Sequence, residues 1–259
     1  MDISNEQSRI GHEQNNQYSF NNNKTNNTVS TPLSMGKVFG YLFLGLGVTF
    51  LVCIIISIIF TKWITTDPDN AIMTLFYMMI GSIIFQLVLT VIMNIGINKA
   101  KFNLMIPYLL YGLTMGVMLS TFTIFLPWEV ISITIGITTL IFGVLSLIGI
   151  LTKSNLNPLI YVASALVIGS LLLVGFNFLM VLFFPEMWDI ICWIVSIGLF
   201  AAIMFVTIYD VWQIKKISQS GYNSKNISLW CAYRLYLDYI SILFRVLYFV
   251  IIAYSKNKN

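Results

Sequence analysis

The chain has 259 residues, of which 58% are hydrophobic and only 9% are charged, with a net charge of +4. A soluble domain carries roughly a quarter charged residues, so this composition excludes an ordinary soluble globular protein. The basic residues fall in short polar segments and form no continuous patch, so no nucleic-acid partner is expected. Mean hydropathy is +0.86, and several uncharged runs are long enough to cross a bilayer core of about 30 Å. The sequence therefore predicts an all-α membrane protein whose surroundings are the lipid bilayer.

The N-terminal part differs in composition from the rest of the chain. Residues 1–34 are polar and rich in asparagine, as in "NNQYSFNNNKTNN". Such a segment cannot bury enough apolar surface to fold alone, and it lacks the apolar core of a signal peptide. We predict a disordered tail over 1–34 and a seven-helix membrane domain over 35–259.

The membrane domain divides into seven hydrophobic segments separated by short connections. These segments are 38–61, 71–97, 104–126, 130–151, 158–183, 190–214 and 229–254. Short connections predict that successive helices are antiparallel neighbours in one bundle. Small residues allow helices to approach closely in lipid, and we expect this role for Gly112, Gly116, Gly136, Gly143 and Gly149.

The charges of the connections predict an orientation. The tail and the even-numbered connections carry Arg9, Lys24, Lys37, Lys99, Lys101, Lys153, Lys215, Lys216 and Lys225, whereas the odd-numbered ones are mainly acidic. The positive-inside rule places the N-terminus and the even connections in the cytosol. Lys256 and Lys258 then lie outside if the seventh segment spans, so that segment either spans against a weak bias or re-enters. Composition favours a bacterial plasma membrane, with the endoplasmic reticulum as the alternative.

Four charged residues lie at or within the last two hydrophobic segments. Asp210 follows a long uncharged run, and Asp238 lies inside the seventh segment. A carboxylate in a membrane helix costs several kcal/mol unless it is paired or hydrated. Arg234 lies four residues before Asp238 and Arg245 seven residues after it, so the three share one helix face. We predict that the arginines are counter-ions and that Asp238 meets Asp210 at a similar depth.

Two other interpretations of these charges remain open. The first is a buried ion-pair network that only locks two helices together. The second is an intramembrane aspartyl protease, but those enzymes place Gly-x-Gly-Asp on the second helix, whereas Asp238 follows Leu-Tyr-Leu. Rhomboid-type serine chemistry is excluded because the only histidine, His12, lies in the tail. We therefore expect no enzymatic activity.

Two motifs resemble the Bax inhibitor-1 family, also called the transmembrane Bax inhibitor motif family. They are "IYDVWQIKK" at 208–216 and "LYLDYISILFRVL" at 235–247. Members of that family pair a Tyr/Phe-Asp-x-x-x-Ile string with a Leu-Tyr-Leu-Asp-Phe/Tyr-Ile string on the next helix. The segment "LLYGLTMGVML" at 109–119 adds support, and the resemblance covers about 37–254.

The resemblance implies a bundle with one central helix surrounded by six, and a pH-sensitive calcium leak. It also implies a hydrogen-bonded aspartate pair near the cytosolic end, matched here by Asp210 and Asp238. These two residues would be the pH sensor or gate and transient calcium ligands, with calcium as the permeant ion and no cofactor. Many bacterial members carry a glutamate on the second helix, where this chain offers Gln86 as a pore-lining candidate. Such members also carry an arginine on that helix, for which Arg234 and Arg245 would substitute.

The resemblance leaves two functions to compare. The first is a calcium leak channel gated by the aspartate pair. The alternative is a regulator of membrane protein quality control or stress response, since some bacterial members modulate the membrane protease FtsH. Such a regulator would act through contact with a protease or another membrane protein and would conduct no calcium.

Overall fold

The computed structural model describes residues 34–97, 103–180, 188–220 and 225–256. Within these ranges the chain forms seven helices, numbered α1 to α7 in chain order. They are Met35–Thr66, Pro68–Gly96, Met105–Phe125, Trp128–Leu151, Asn157–Met180, Trp188–Gln219 and Lys225–Lys256. All seven are long and apolar enough to cross a membrane, which confirms the predicted fold class. The predicted tail over 1–34, apart from Ser34, lies outside the described residues.

Local sequence sets the break between α1 and α2. Asp67 ends α1 and precedes Pro68, which is compatible with a first helical position because it has no N–H to leave unsatisfied. The Asp67 carboxylate also accepts hydrogen bonds from the backbone N–H and side-chain amide of Asn70. Together these residues stop one helix and start the next without a long loop.

The central helix of the bundle is α7. It contacts α1, α2, α3, α4 and α6, while α5 packs chiefly against α6. Its tyrosines Tyr233 and Tyr236 are among the largest fully buried side chains of the described residues. The helix runs without interruption from Lys225 to Lys256, long enough to span, which favours spanning over re-entry.

Hydroxyl groups attach α7 to three of its neighbours. The hydroxyl of Tyr236 bonds to Thr49 of α1 over 2.6 Å, and that of Tyr233 bonds to Thr90 of α2 over 2.9 Å. Tyr239 bonds in the same way to Thr139 of α4 over 3.0 Å. The tyrosines follow one another at three-residue intervals, about 60° short of a full turn each time, so successive rings point toward different neighbours. These bonds fix the rotation and height of α7, and with them the position of Asp238.

Glycines at two helix crossings allow the backbones to touch. A Cβ at Gly116 would lie 2.6 Å from the Thr49 carbonyl oxygen, and one at Gly149 would lie 2.8 Å from the Ile208 carbonyl oxygen. Gly112 is also tight, at 3.3 Å from a backbone oxygen. The packing role predicted for Gly136 and Gly143 is wrong, because a Cβ there would meet nothing within 4 Å.

We expect Gly116→Ala to lower the free energy of unfolding by about 1 to 3 kcal/mol, since the added methyl group would overlap a backbone oxygen that cannot rotate away. Gly143→Ala is the matched control, because the same methyl group there meets open space and improves helix propensity. Thermal unfolding in detergent measures both. Equal melting temperatures for the two variants would show that close contact at Gly116 does not contribute to the stability of the α1–α3 crossing.

Candidate functional site

An ion pair joins α6 to α7 in the interior of the bundle. Arg234 Nε donates to Asp210 Oδ2 over 2.9 Å, and Arg234 Nη2 donates to Asp210 Oδ1. The Asp210 side chain is only 4% exposed, and that of Arg234 is 24% exposed. Two parallel hydrogen bonds between a guanidinium and a carboxylate give both strength and a fixed orientation. Among the described residues this is the single ion pair.

The prediction that Arg234 would pair with Asp238 along the same helix is wrong. Side chains on a helix lean toward its N-terminus, so the guanidinium of Arg234 extends away from Asp238, which follows it. The order Arg-then-Asp at i, i+4 is also the weaker orientation for a helical ion pair. Asp210, on the neighbouring helix, instead offers both oxygens to the guanidinium plane.

Asp238 is buried beside this pair but is not part of it. The residue is 8% exposed, and its Oδ2 atom has no hydrogen-bond partner among the described residues. Both oxygens of Asp210 accept hydrogen bonds from Arg234, and no hydrogen bond between Asp210 and Asp238 is found among the described residues. The two carboxyls are still close enough for their charges to interact. A buried polar atom without a partner is costly, and Asp238 Oδ2 shares this condition with the hydroxyls of Thr138 and Ser146.

Both aspartates lie close to Arg234 along the bundle. Asp210 bonds to its guanidinium, and Asp238 follows Arg234 by four residues, about one helical turn along α7. The expectation that the two carboxyls lie at a similar depth stays a prediction.

Two residues that sequence reasoning overlooked complete the setting of Arg234. Its Nη1 donates to Gln213 Oε1 over 2.6 Å, and its Cζ lies 5.0 Å from the centre of the Trp230 ring. Gln213 is three residues after Asp210, so the two face the same way on α6. This three-residue spacing from Asp210 is the feature of the sequence that could have identified Gln213. The guanidinium is thus held by a carboxylate, an amide and an aromatic face.

The remaining predicted site residues lie apart from the ion pair. Gln86 of α2 is buried, and its side-chain amide donates to the sulfur of Met115 over 3.4 Å. The side-chain oxygen of Gln86 accepts no hydrogen bond within the described residues, whereas its backbone oxygen accepts one from Thr90 Oγ1 over 2.8 Å. Arg245 is partly buried on α7, about 16 Å along the helix from Arg234. No ion pair forms at Arg245 in the described part of the chain, because Asp238 is two turns away.

The carboxyls do not assemble a resident metal site. Among the described residues no group of three or more His, Cys, Asp or Glu side chains could hold a metal ion. Calcium takes six to eight oxygen ligands, and both oxygens of Asp210 already bond to Arg234. Of the two carboxyls, Asp238 has an oxygen without a hydrogen-bond partner among the described residues.

A comparison with protein families bears on this arrangement. The family model described as "Inhibitor of apoptosis-promoting Bax1" matches residues 32–255. The match spans all seven helices and includes Asp210, Arg234 and Asp238. Searches of curated proteins and of solved structures gave no match.

Proposed function

The chain belongs to the family of inhibitors of apoptosis-promoting Bax1, the Bax inhibitor-1 family, and from this we propose that it is a non-enzymatic membrane protein that lets cations, chiefly Ca²⁺, leak along a gated path. Asp238 and Asp210 form the pH sensor and gate. Family membership and the seven membrane helices support the membrane assignment, and the geometry around Asp238 supports the gate.

The observation that carries the proposal is the unpartnered oxygen of Asp238 beside a buried ion pair. The charged groups that act on Asp238 are Asp210 and Arg234. When Asp238 is neutral, one arginine balances one carboxylate. When Asp238 ionises, two negative charges face a single guanidinium in a region of low dielectric, where repulsion is strong.

This imbalance provides a mechanism for opening. Repulsion between the carboxylates is relieved if α6 and α7 separate and water enters at the level of the ion pair. The freed carboxylate oxygens then attract a cation, and the leak increases as protons are lost. Arg234 opposes opening by neutralising Asp210. Arg245, two helical turns after Asp238 on the same face of α7, is the second counter-ion. Gln86 lines the path through its side-chain oxygen.

The test of conduction is calcium flux into liposomes that contain only the purified full-length protein. We expect an influx above that of protein-free liposomes prepared in parallel. The absence of any such influx would refute the leak and favour the alternative, a regulator that acts by contact with a membrane protease or another membrane protein.

The proposed orientation places the N-terminus and the α6–α7 connection in the cytosol of a bacterial plasma membrane. The lysines at the ends of α6 and α7, Lys215, Lys216 and Lys225, support it through the positive-inside rule. In a cysteine-free background we expect Thr66→Cys to react with an impermeant thiol reagent added to intact cells, and Ser220→Cys to react only after lysis. The reverse pattern of labelling would invert the orientation.

A further inference from the structure

A cavity of about 470 Å³ lies between α1, α3, α4 and α7, away from the aspartates. Its volume falls within the range of about 300 to 1,000 Å³ that is typical of ligand pockets. One face of α1 forms a wall through Phe50, Cys53, Ile54, Ser57, Ile58, Thr61 and Lys62. These positions recur every three or four residues, so they form a continuous stripe along the cavity.

Apolar side chains form almost all of the cavity wall. The hydroxyls of Thr61, Thr123 and Thr134 donate to carbonyl oxygens of their own helices. The Cys53 thiol lies 3.5 Å from the Thr123 hydroxyl. Ser57 has the one lining hydroxyl without a hydrogen bond among the described residues. A water molecule needs two to four polar partners, so the cavity favours an apolar occupant.

A single charge marks one end of the cavity. Lys62 is the one charged residue among those that line it, and its side chain is exposed. Within the described residues its ammonium group forms no ion pair. Trp128, also in the lining, is 66% exposed, and Trp and Lys side chains are typical of the boundary between lipid and water. Phe50 lies twelve residues before Lys62, so the cavity extends about 18 Å inward along α1.

We propose that this cavity holds one acyl chain of an anionic phospholipid from the surrounding bilayer, with the lipid phosphate on Lys62. The hydrocarbon walls match the acyl chain, and the unpaired ammonium group at the entrance matches the phosphate. Large apolar side chains on the same face of α1, such as those of Ile54 and Ile58, are exposed on the surface of the bundle, which provides a lateral entrance for a chain from the bilayer. The site is separate from the ion pair and does not depend on calcium conduction.

The test is native mass spectrometry of the full-length protein offered phosphatidylglycerol and phosphatidylcholine with identical acyl chains. We expect one retained phosphatidylglycerol per protein. Lys62→Gln should lower the ratio of bound phosphatidylglycerol to phosphatidylcholine about fivefold, the factor that one basic residue near anionic headgroups provides. Lys153→Gln is the matched control, since Lys153 is an exposed lysine outside the cavity, and it should leave the ratio unchanged.

A second variant tests the cavity itself. Ser57→Phe places a ring in the space and should reduce retention of both lipids without changing their ratio. If this variant does not fold, the ratio measured for Lys62→Gln decides alone, because an exposed lysine is replaced without loss of packing. Equal retention of the two lipids by the unaltered protein would overturn the proposal. So would an unchanged ratio in Lys62→Gln, or retention of a free fatty acid in place of the phospholipid.

Discussion

Arg234→Gln is expected to lower the free energy of unfolding by about 3 kcal/mol. The substitution leaves the carboxylate of Asp210, which is 4% exposed, without its counter-ion. Removing one partner of a buried ion pair costs about 3 to 5 kcal/mol, because the other charge stays buried and unpaired. The low end of this range applies because the Arg234 side chain is itself about one quarter exposed. Thermal unfolding in detergent measures the effect.

Arg245→Gln is the matched control, with the same substitution on the same helix at an arginine that forms no ion pair among the described residues. Its melting temperature should stay close to that of the unaltered protein. Adding Asp210→Asn to Arg234→Gln should restore part of the lost stability, because the orphaned charge is removed. If Arg234→Gln is no less stable than Arg245→Gln, the ion pair does not hold α6 to α7.

Asp238→Asn should abolish most of the pH dependence of calcium flux while leaving the melting temperature near its original value. The amide keeps the shape of the carboxyl but cannot titrate near neutrality. It leaves the Arg234–Asp210 pair in place, and Asp238 Oδ2 makes no hydrogen bond that could be lost. A fluorescent calcium indicator inside liposomes at several pH values reports the flux, and unfolding in detergent reports the stability.

Asp210→Asn should also remove most of the pH dependence, but with a loss of stability, because Arg234 loses its charged partner. The two variants thus separate the sensing role, which both aspartates share, from the clamping role, which belongs to Asp210. Asp69→Asn, at the start of α2 and outside the site, is the control and should keep the full pH profile.

The sequence was sufficient to predict the helices and their number. Long uncharged runs have one stable outcome in a bilayer, because a helix satisfies every backbone hydrogen bond internally. Breaks such as Asp67–Pro68 can be recognised from local chemistry alone. The charges inside apolar segments also drew attention to Asp210, Arg234 and Asp238, which a membrane helix tolerates least, and the structure joins the first two in an ion pair.

The pairing of those charges could not be predicted from spacing alone. The rule for residues one turn apart favoured Arg234 with Asp238, but the partner of Arg234 is decided by where α6 sits against α7. That position depends on distant contacts, including the Tyr236–Thr49 bond and the glycine crossing at Gly149. The sequence does not reveal which tyrosine meets which threonine. The glycines show the same limit, because Gly143 and Gly149 look alike in sequence and only the latter touches another backbone.

The proposed role of Asp238, to sense protons and gate a calcium leak, can be decided by one comparison. It is the pH profile of calcium flux in liposomes, measured side by side for the unaltered protein and for Asp238→Asn. We expect the flux of the unaltered protein to rise from acidic to alkaline pH and that of Asp238→Asn to stay nearly constant. If Asp238→Asn conducts calcium with the pH profile of the unaltered protein, the sensor lies elsewhere and the buried carboxyl is not a gate.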